Sequence, residues 1–122
     1  MTLSELFTKP LPHTMTIDGP VGVLELMLQA PIVDDGQAIA VICHPNTSQQ
    51  GTMHNKVVTT LAKALGQLNM PTVRFNFRAA GGSEGEYDHG VGEQDDLFAV
   101  LKWLEGVAPG RRLILAGFSF GS

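Results

Sequence analysis

At 122 residues, with 43% hydrophobic and 16% charged side chains, the chain has the composition of a single globular domain (1–122), and a disordered or fibrous segment is excluded. Twelve acidic residues against eight basic ones give a formal charge of −4, and no run of Lys or Arg could neutralise a row of phosphates, so nucleic acid is not an expected partner. No stretch approaches the length of a membrane span, and the opening MTLSELFTKPLPH lacks the basic start, apolar core and small-residue cleavage site of a secretory signal, so a cytoplasmic setting is expected.

Met1 to Pro12 show no periodicity, and Pro10 and Pro12 oppose a helix, which predicts an extended lead-in. Apolar and polar residues then alternate from Thr14 to Leu28 around Asp18-Gly19-Pro20, the pattern of two strands joined by a turn. The run Ala38 to Cys43 is apolar throughout, as expected of a strand buried on both faces, and places the lone cysteine in the core. From Asn55 to Leu68 the apolar residues Val57, Val58, Leu61, Ala62, Leu65 and Leu68 recur with helical period, and Asn55 is available as N-cap. Thr72 to Phe77 is predicted as a strand, followed by a glycine-rich turn from Gly81 to Gly85. A second helix is predicted over about 93–105, with Glu93, Asp95 and Asp96 at its positive end, and Leu113 to Ala116 as a further buried strand. Antiparallel opening strands followed by strand, helix, strand, helix, strand describe an α/β domain with a parallel sheet and crossover helices.

The last six residues carry the chemistry. Gly117-x-Ser119-x-Gly121 directly after a buried strand matches a nucleophile elbow, in which a tight turn holds a serine above the carboxyl edge of a sheet. Gly117 and Gly121 have a steric task there, because backbone must pass close to the turn and a side chain would obstruct it. Cys43-His44-Pro45-Asn46 closes the first buried strand ahead of the first crossover helix, where hydrolases of this architecture place an oxyanion loop. Pro45 has no N–H to donate, so the backbone N–H of Asn46 is the candidate donor, paired with that of Phe120 after the nucleophile. His44 is read as a residue that holds this loop, in preference to a base, since the fold supplies its base from a later loop.

The segments AVICHPNTSQQGTMHNKVV, VRFNFRAAGGSEGEYDHGVGEQDDL and LAGFSFGS, in this order, resemble small bacterial serine α/β-hydrolases of the dienelactone-hydrolase-like kind. The resemblance covers nearly everything from Ala38 onward and implies the N-terminal portion of an α/β-hydrolase fold, ending at the elbow. It implies Ser119 as nucleophile, the loop after His44 as oxyanion loop and the turn Gly81 to Gly85 near the mouth of the site. The chain departs from the pattern at Ala79, where such hydrolases usually have glycine, and it contains none of the later strands that supply the acid and base. A small-molecule acyl substrate is implied, with no metal or organic cofactor.

The remaining titratable residues have simpler readings. His13, His54 and His89 have no partner at metal-binding spacing, Asp95 and Asp96 suit the helix dipole, and Asp88 is placed to pair with Arg74 or Arg78. The glycine-rich turn lacks the lysine of a P-loop and the spacing of a dinucleotide fingerprint. Two functional classes follow from the sequence. One is a serine hydrolase represented by its front portion, completed by a C-terminal segment in the same or a complementing chain. The other is a catalytically inactive shortened chain, inert or binding a partner through an apolar sheet edge left open at Leu113 to Ala116. Oligomeric state is not legible.

Overall fold

The computed structural model describes residues 13–31, 34, 36–44 and 52–117. The lead-in, the segment 45–51 with Pro45 and Asn46, and the stretch 118–122 with Ser119, Phe120 and Gly121 lie outside the described residues. The alternating segment forms a hairpin in which β1 (His13–Gly19) pairs antiparallel with β2 (Gly22–Gln29). Leu24, Leu26 and Leu28 of β2 are buried on one face, as a period of two requires.

The all-apolar run becomes β3 (Ala38–Cys43), buried at every position. Helix α1 (Lys56–Gln67) begins where predicted, with the Asn55 side-chain oxygen accepting from the Val57 N–H at 2.9 Å. Strand β4 (Thr72–Phe75), helix α2 (Val91–Val107) and strand β5 (Arg112–Gly117) complete the order, and the sheet runs β1-β2-β4-β3-β5. β3 pairs in parallel with β4 on one side and β5 on the other, while β2 joins β4 antiparallel.

This order decides where the helices go. The connection through α1 carries the chain from β3 to its neighbour β4, whereas the connection through α2 carries it back past β3 to β5. Two crossovers of the same right hand that travel in opposite directions must cover opposite faces of the sheet. The buried residues divide accordingly. Val100, Leu104 and Val107 of α2 pack with Leu24, Leu26, Ile39, Val41, Val73 and Phe75, whereas Val58 and Ala62 of α1 pack with Ile42, the residue of β3 that points the other way.

Three expectations need correction. The strand predicted through Phe77 ends at Phe75, because the Phe77 N–H leaves the ladder and donates to the His44 side chain at 2.9 Å. Helix α2 starts at Val91, ahead of Glu93, because Glu93 reaches back to accept from the N–H groups of Asp88 and Gly90 at 2.9 and 3.1 Å. Strand β5, expected as a buried strand with one edge open, is half-buried, and Leu115 is 53% exposed. Among the described residues β5 pairs only with β3.

Burial of Cys43 pushes its thiol up to about 11, so almost no thiolate forms at neutral pH. Iodoacetamide at pH 8 is expected to leave Cys43 of the native protein unmodified and to alkylate it fully in urea. Modification at the denatured rate without urea would contradict this burial.

Candidate functional site

Parallel strands that end together present their next residues to one edge. Cys43 of β3 lies in register with Phe75 of β4 and with Gly117 of β5, so the chain leaves all three strands at one level. The connection leaving β3 leads to α1 and the one leaving β4 leads to α2, on opposite faces. Adjacent parallel strands whose connections diverge in this way open a crevice at their carboxyl ends, the usual place for a ligand in open α/β sheets. Gly117, the first residue of the Gly-x-Ser-x-Gly motif, stands exposed at this edge as the last described residue of its strand.

His44 is fully buried on this edge. Its Nε2 accepts the Phe77 N–H at 2.9 Å, and its ring meets that of Phe77 edge-on with centroids 5.0 Å apart. A ring nitrogen that accepts carries no proton, so the imidazole is the neutral tautomer with its hydrogen on Nδ1. In this state His44 ties the exit of β3 to the exit of β4 and has no free lone pair with which to act as a base.

The stretch after β4 is held by a buried polar cluster that sequence reasoning missed. Asn76 donates through Nδ2 to Glu25 Oε1 at 2.7 Å and accepts at Oδ1 from the Met53 N–H at 2.7 Å. Glu25 Oε1 also accepts the Gly82 N–H at 2.8 Å. Ser83 Oγ donates to the Asn76 carbonyl at 2.6 Å and accepts from the Glu25 N–H at 2.8 Å, and Glu84 pairs with both backbone groups of Val23. The glycine-rich turn is therefore clamped along β2. Gly81 sits at φ 48° with Asn76 and Glu25 packed where a Cβ would project, so a side chain is excluded there.

Arg78 and Asp96 form a second anchor. Arg78 donates from Nε and Nη2 to the Asp96 carboxylate, and from its backbone N–H to the same group at 3.0 Å. The Asp96 side chain is 0% exposed and that of Arg78 is 8% exposed. The expectation that Asp96 merely suits the helix dipole is thereby replaced, since a fully buried carboxylate requires a partner and finds it in Arg78. Hydrogen bonding to Asp96 raises the Arg78 guanidinium above its ordinary range. Asp88 acts on Arg78 through its charge without forming an ion pair, and its Oδ2 accepts from the Gly92 N–H at 2.8 Å at the start of α2. Asp95 is exposed, as a helix-dipole role allows.

The other histidines stand apart. His13 begins β1 at the far margin of the sheet, His54 is exposed before α1, and His89 is exposed against Tyr87. Among the described residues no group of three His, Cys, Asp or Glu side chains is gathered to hold a metal, and no helix is long and apolar enough to cross a membrane.

The same arrangement recurs in solved proteins. An α/β serine hydrolase homologue from Coxiella burnetii superposes with a TM-score of 0.88 at 51% identity, over 93% of this chain and 54% of its own. A lidless α/β serine hydrolase from Xanthomonas campestris gives 0.87 at 48% identity, over 93% of this chain and 53% of its own. An uncharacterised protein of Rickettsia prowazekii is 39% identical over 106 residues, 86% of this chain and 44% of that protein. No family model matches. The chain thus spans about half the length of the proteins it resembles.

Two stability measurements test this anchoring. Ala79 sits at φ 69°, in the left-handed region that disfavours a Cβ, so Ala79→Gly is expected to raise stability in urea by roughly 0.5–1 kcal/mol, after the entropy cost of glycine is subtracted. A loss would show that the Ala79 methyl makes a contact worth more than the strain. Asp96→Ala strands the buried Arg78 cation and is expected to cost about 3–5 kcal/mol in the same titration.

Proposed function

We propose, given that this chain is the N-terminal portion of an α/β-hydrolase fold, that the protein it belongs to hydrolyses a carboxylic ester or related acyl bond through an acyl-serine intermediate. The observation that carries the reading is the register of Gly117 with Cys43, and of Cys43 with Phe75: the residue that opens the Gly-x-Ser-x-Gly motif ends β5 level with the exits of β3 and β4. A serine on that turn meets a substrate at the one edge where the connections diverge.

In this reading Ser119 Oγ attacks the acyl carbon while a general base takes its proton. The carbonyl oxygen becomes an oxyanion that accepts from the backbone N–H groups of Asn46 and Phe120, with Pro45 shaping the loop just ahead of Asn46. Collapse of the adduct breaks the bond to the leaving alkoxide, which receives the proton, and water then repeats the sequence on the acyl-serine. Gly117 and Gly121 leave room for the strained turn. His44, neutral and engaged with Phe77, holds the oxyanion loop and transfers no proton. In this reading the base and its carboxylate follow the serine in chain order, as this fold places them, and Ser119 without them turns over poorly, because a triad acts as a unit. The chemistry calls for no metal or organic cofactor.

A fluorophosphonate probe tests the assignment. In the protein as its source cell makes it, the probe is expected to label Ser119 rapidly, and Ser119→Ala is expected to abolish the label. An unlabelled Ser119 in that protein would remove the acyl-serine reading. Strong labelling of the 122-residue chain alone would place the base within it.

A further inference from the structure

Met53 is fully buried, yet it belongs to no helix or strand; it lies in the connection between β3 and α1. Both of its backbone polar groups are bound by side chains from β4 and its exit. The N–H donates to Asn76 Oδ1 at 2.7 Å, and the carbonyl accepts from Arg74 Nη1 at 3.2 Å. Glu25 decides which way the Asn76 amide points. A carboxylate only accepts, so it must face the amide nitrogen, which leaves the amide oxygen for Met53.

The means used are costly. Arg74 is 5% exposed, forms no salt bridge among the described residues, and its Nε has no hydrogen-bond partner among them. Burial lowers its pKa, as expected of a cation taken from water without a carboxylate. At the other flank of the same connection, His44 is bound to the Phe77 N–H. Both flanks of the connection are thus tied to one short stretch, Arg74 to Phe77, which is itself pinned to β2 through Glu25 and the Ser83 hydroxyl.

We propose that Asn76, oriented by Glu25, is a positioning residue for the connection that serves as the oxyanion loop, fixing where that loop ends through the Met53 N–H. The inference rests on the acyl-serine reading above. It follows from the distance sensitivity of such loops: a donor must lie about 2.7–3.1 Å from the developing oxygen, and a displacement of about 1 Å costs on the order of 100-fold in rate. Asn76 touches no reacting atom and acts only through the loop.

The test uses the full-length enzyme and a short-chain p-nitrophenyl ester. Asn76→Asp sets a second carboxylate against Glu25 and turns the side chain away, so kcat is expected to fall about 30- to 100-fold while KM stays within about 2-fold, because the loop acts on the transition state. The double variant Glu25→Gln with Asn76→Asp restores an amide facing a carboxylate with the roles exchanged, and is expected to return kcat to within about 5-fold of wild type. A merely structural role would lower the melting temperature without this kcat-specific loss and rescue. A single variant within about 3-fold of wild type in kcat, or a double variant no better than the single, overturns the proposal. Should Asn76→Asp fail to fold, the double variant decides by the same 5-fold criterion. In all these cases wild-type Ser119 still takes the fluorophosphonate; a wild type that neither labels nor hydrolyses the ester overturns the acyl-serine reading, and this inference with it.

Discussion

β3 exposes nothing. From Ala38 to Cys43 it has no charged or amide side chain, and every one of the six residues is buried, so it must have a strand at each edge and cover on each face. β4 and β5 supply the edges, α1 and α2 the faces, and the need for crossovers of one hand then sends the two helices to opposite sides. The divergence of the connections at the carboxyl ends of β3 and β4 follows from it. The alignment of three strand exits at one edge is therefore a by-product of burying one apolar strand.

The price of that edge is polar burial. His44, Asn76, Arg78, Glu93 and Asp96 are all buried at or beside it, and the helix start, the glycine-rich turn and the ends of two strands are joined through them. Groups of this kind destabilise unless each finds a partner, and here the partners are backbone N–H groups that secondary structure leaves unpaired: those of Met53, Phe77, Arg78, Asp88 and Gly90. Side chains thereby do for the loops what ladders do for strands. The described parts of the connections, Thr52 to Asn55 and Asn76 to Gly90, are held through side chains with few regular hydrogen bonds of their own, the condition under which a site can be preorganised.

Arg74 shows how far this goes. A guanidinium with no carboxylate partner among the described residues is retained inside the domain, bonded to the Met53 carbonyl, the Met27 sulfur and Gln29. The apolar cluster beneath α1 is small beside the one beneath α2, because β4 presents Thr72 and Arg74 to that side where an ordinary sheet would present aliphatic residues.

Local chemistry was enough for the elements of this protein: the period-two alternation around Asp18-Gly19-Pro20, the unbroken apolar run of β3 and the helical period capped by Asn55 each state their conformation within a few residues. The resemblance from Ala38 onward likewise named the fold. What could not be read was which polar residue meets which. Asp96 looked like a helix-dipole residue until Arg78 was found 18 positions earlier in contact with it, and Glu25 looked like the polar face of a hairpin until Asn76, 51 positions away, lay against it. Neighbours in sequence set φ, ψ and periodicity, but a buried hydrogen bond between distant residues exists only once the strand order β1-β2-β4-β3-β5 has brought β2, β4 and the start of α2 together, and no local pattern encodes that order.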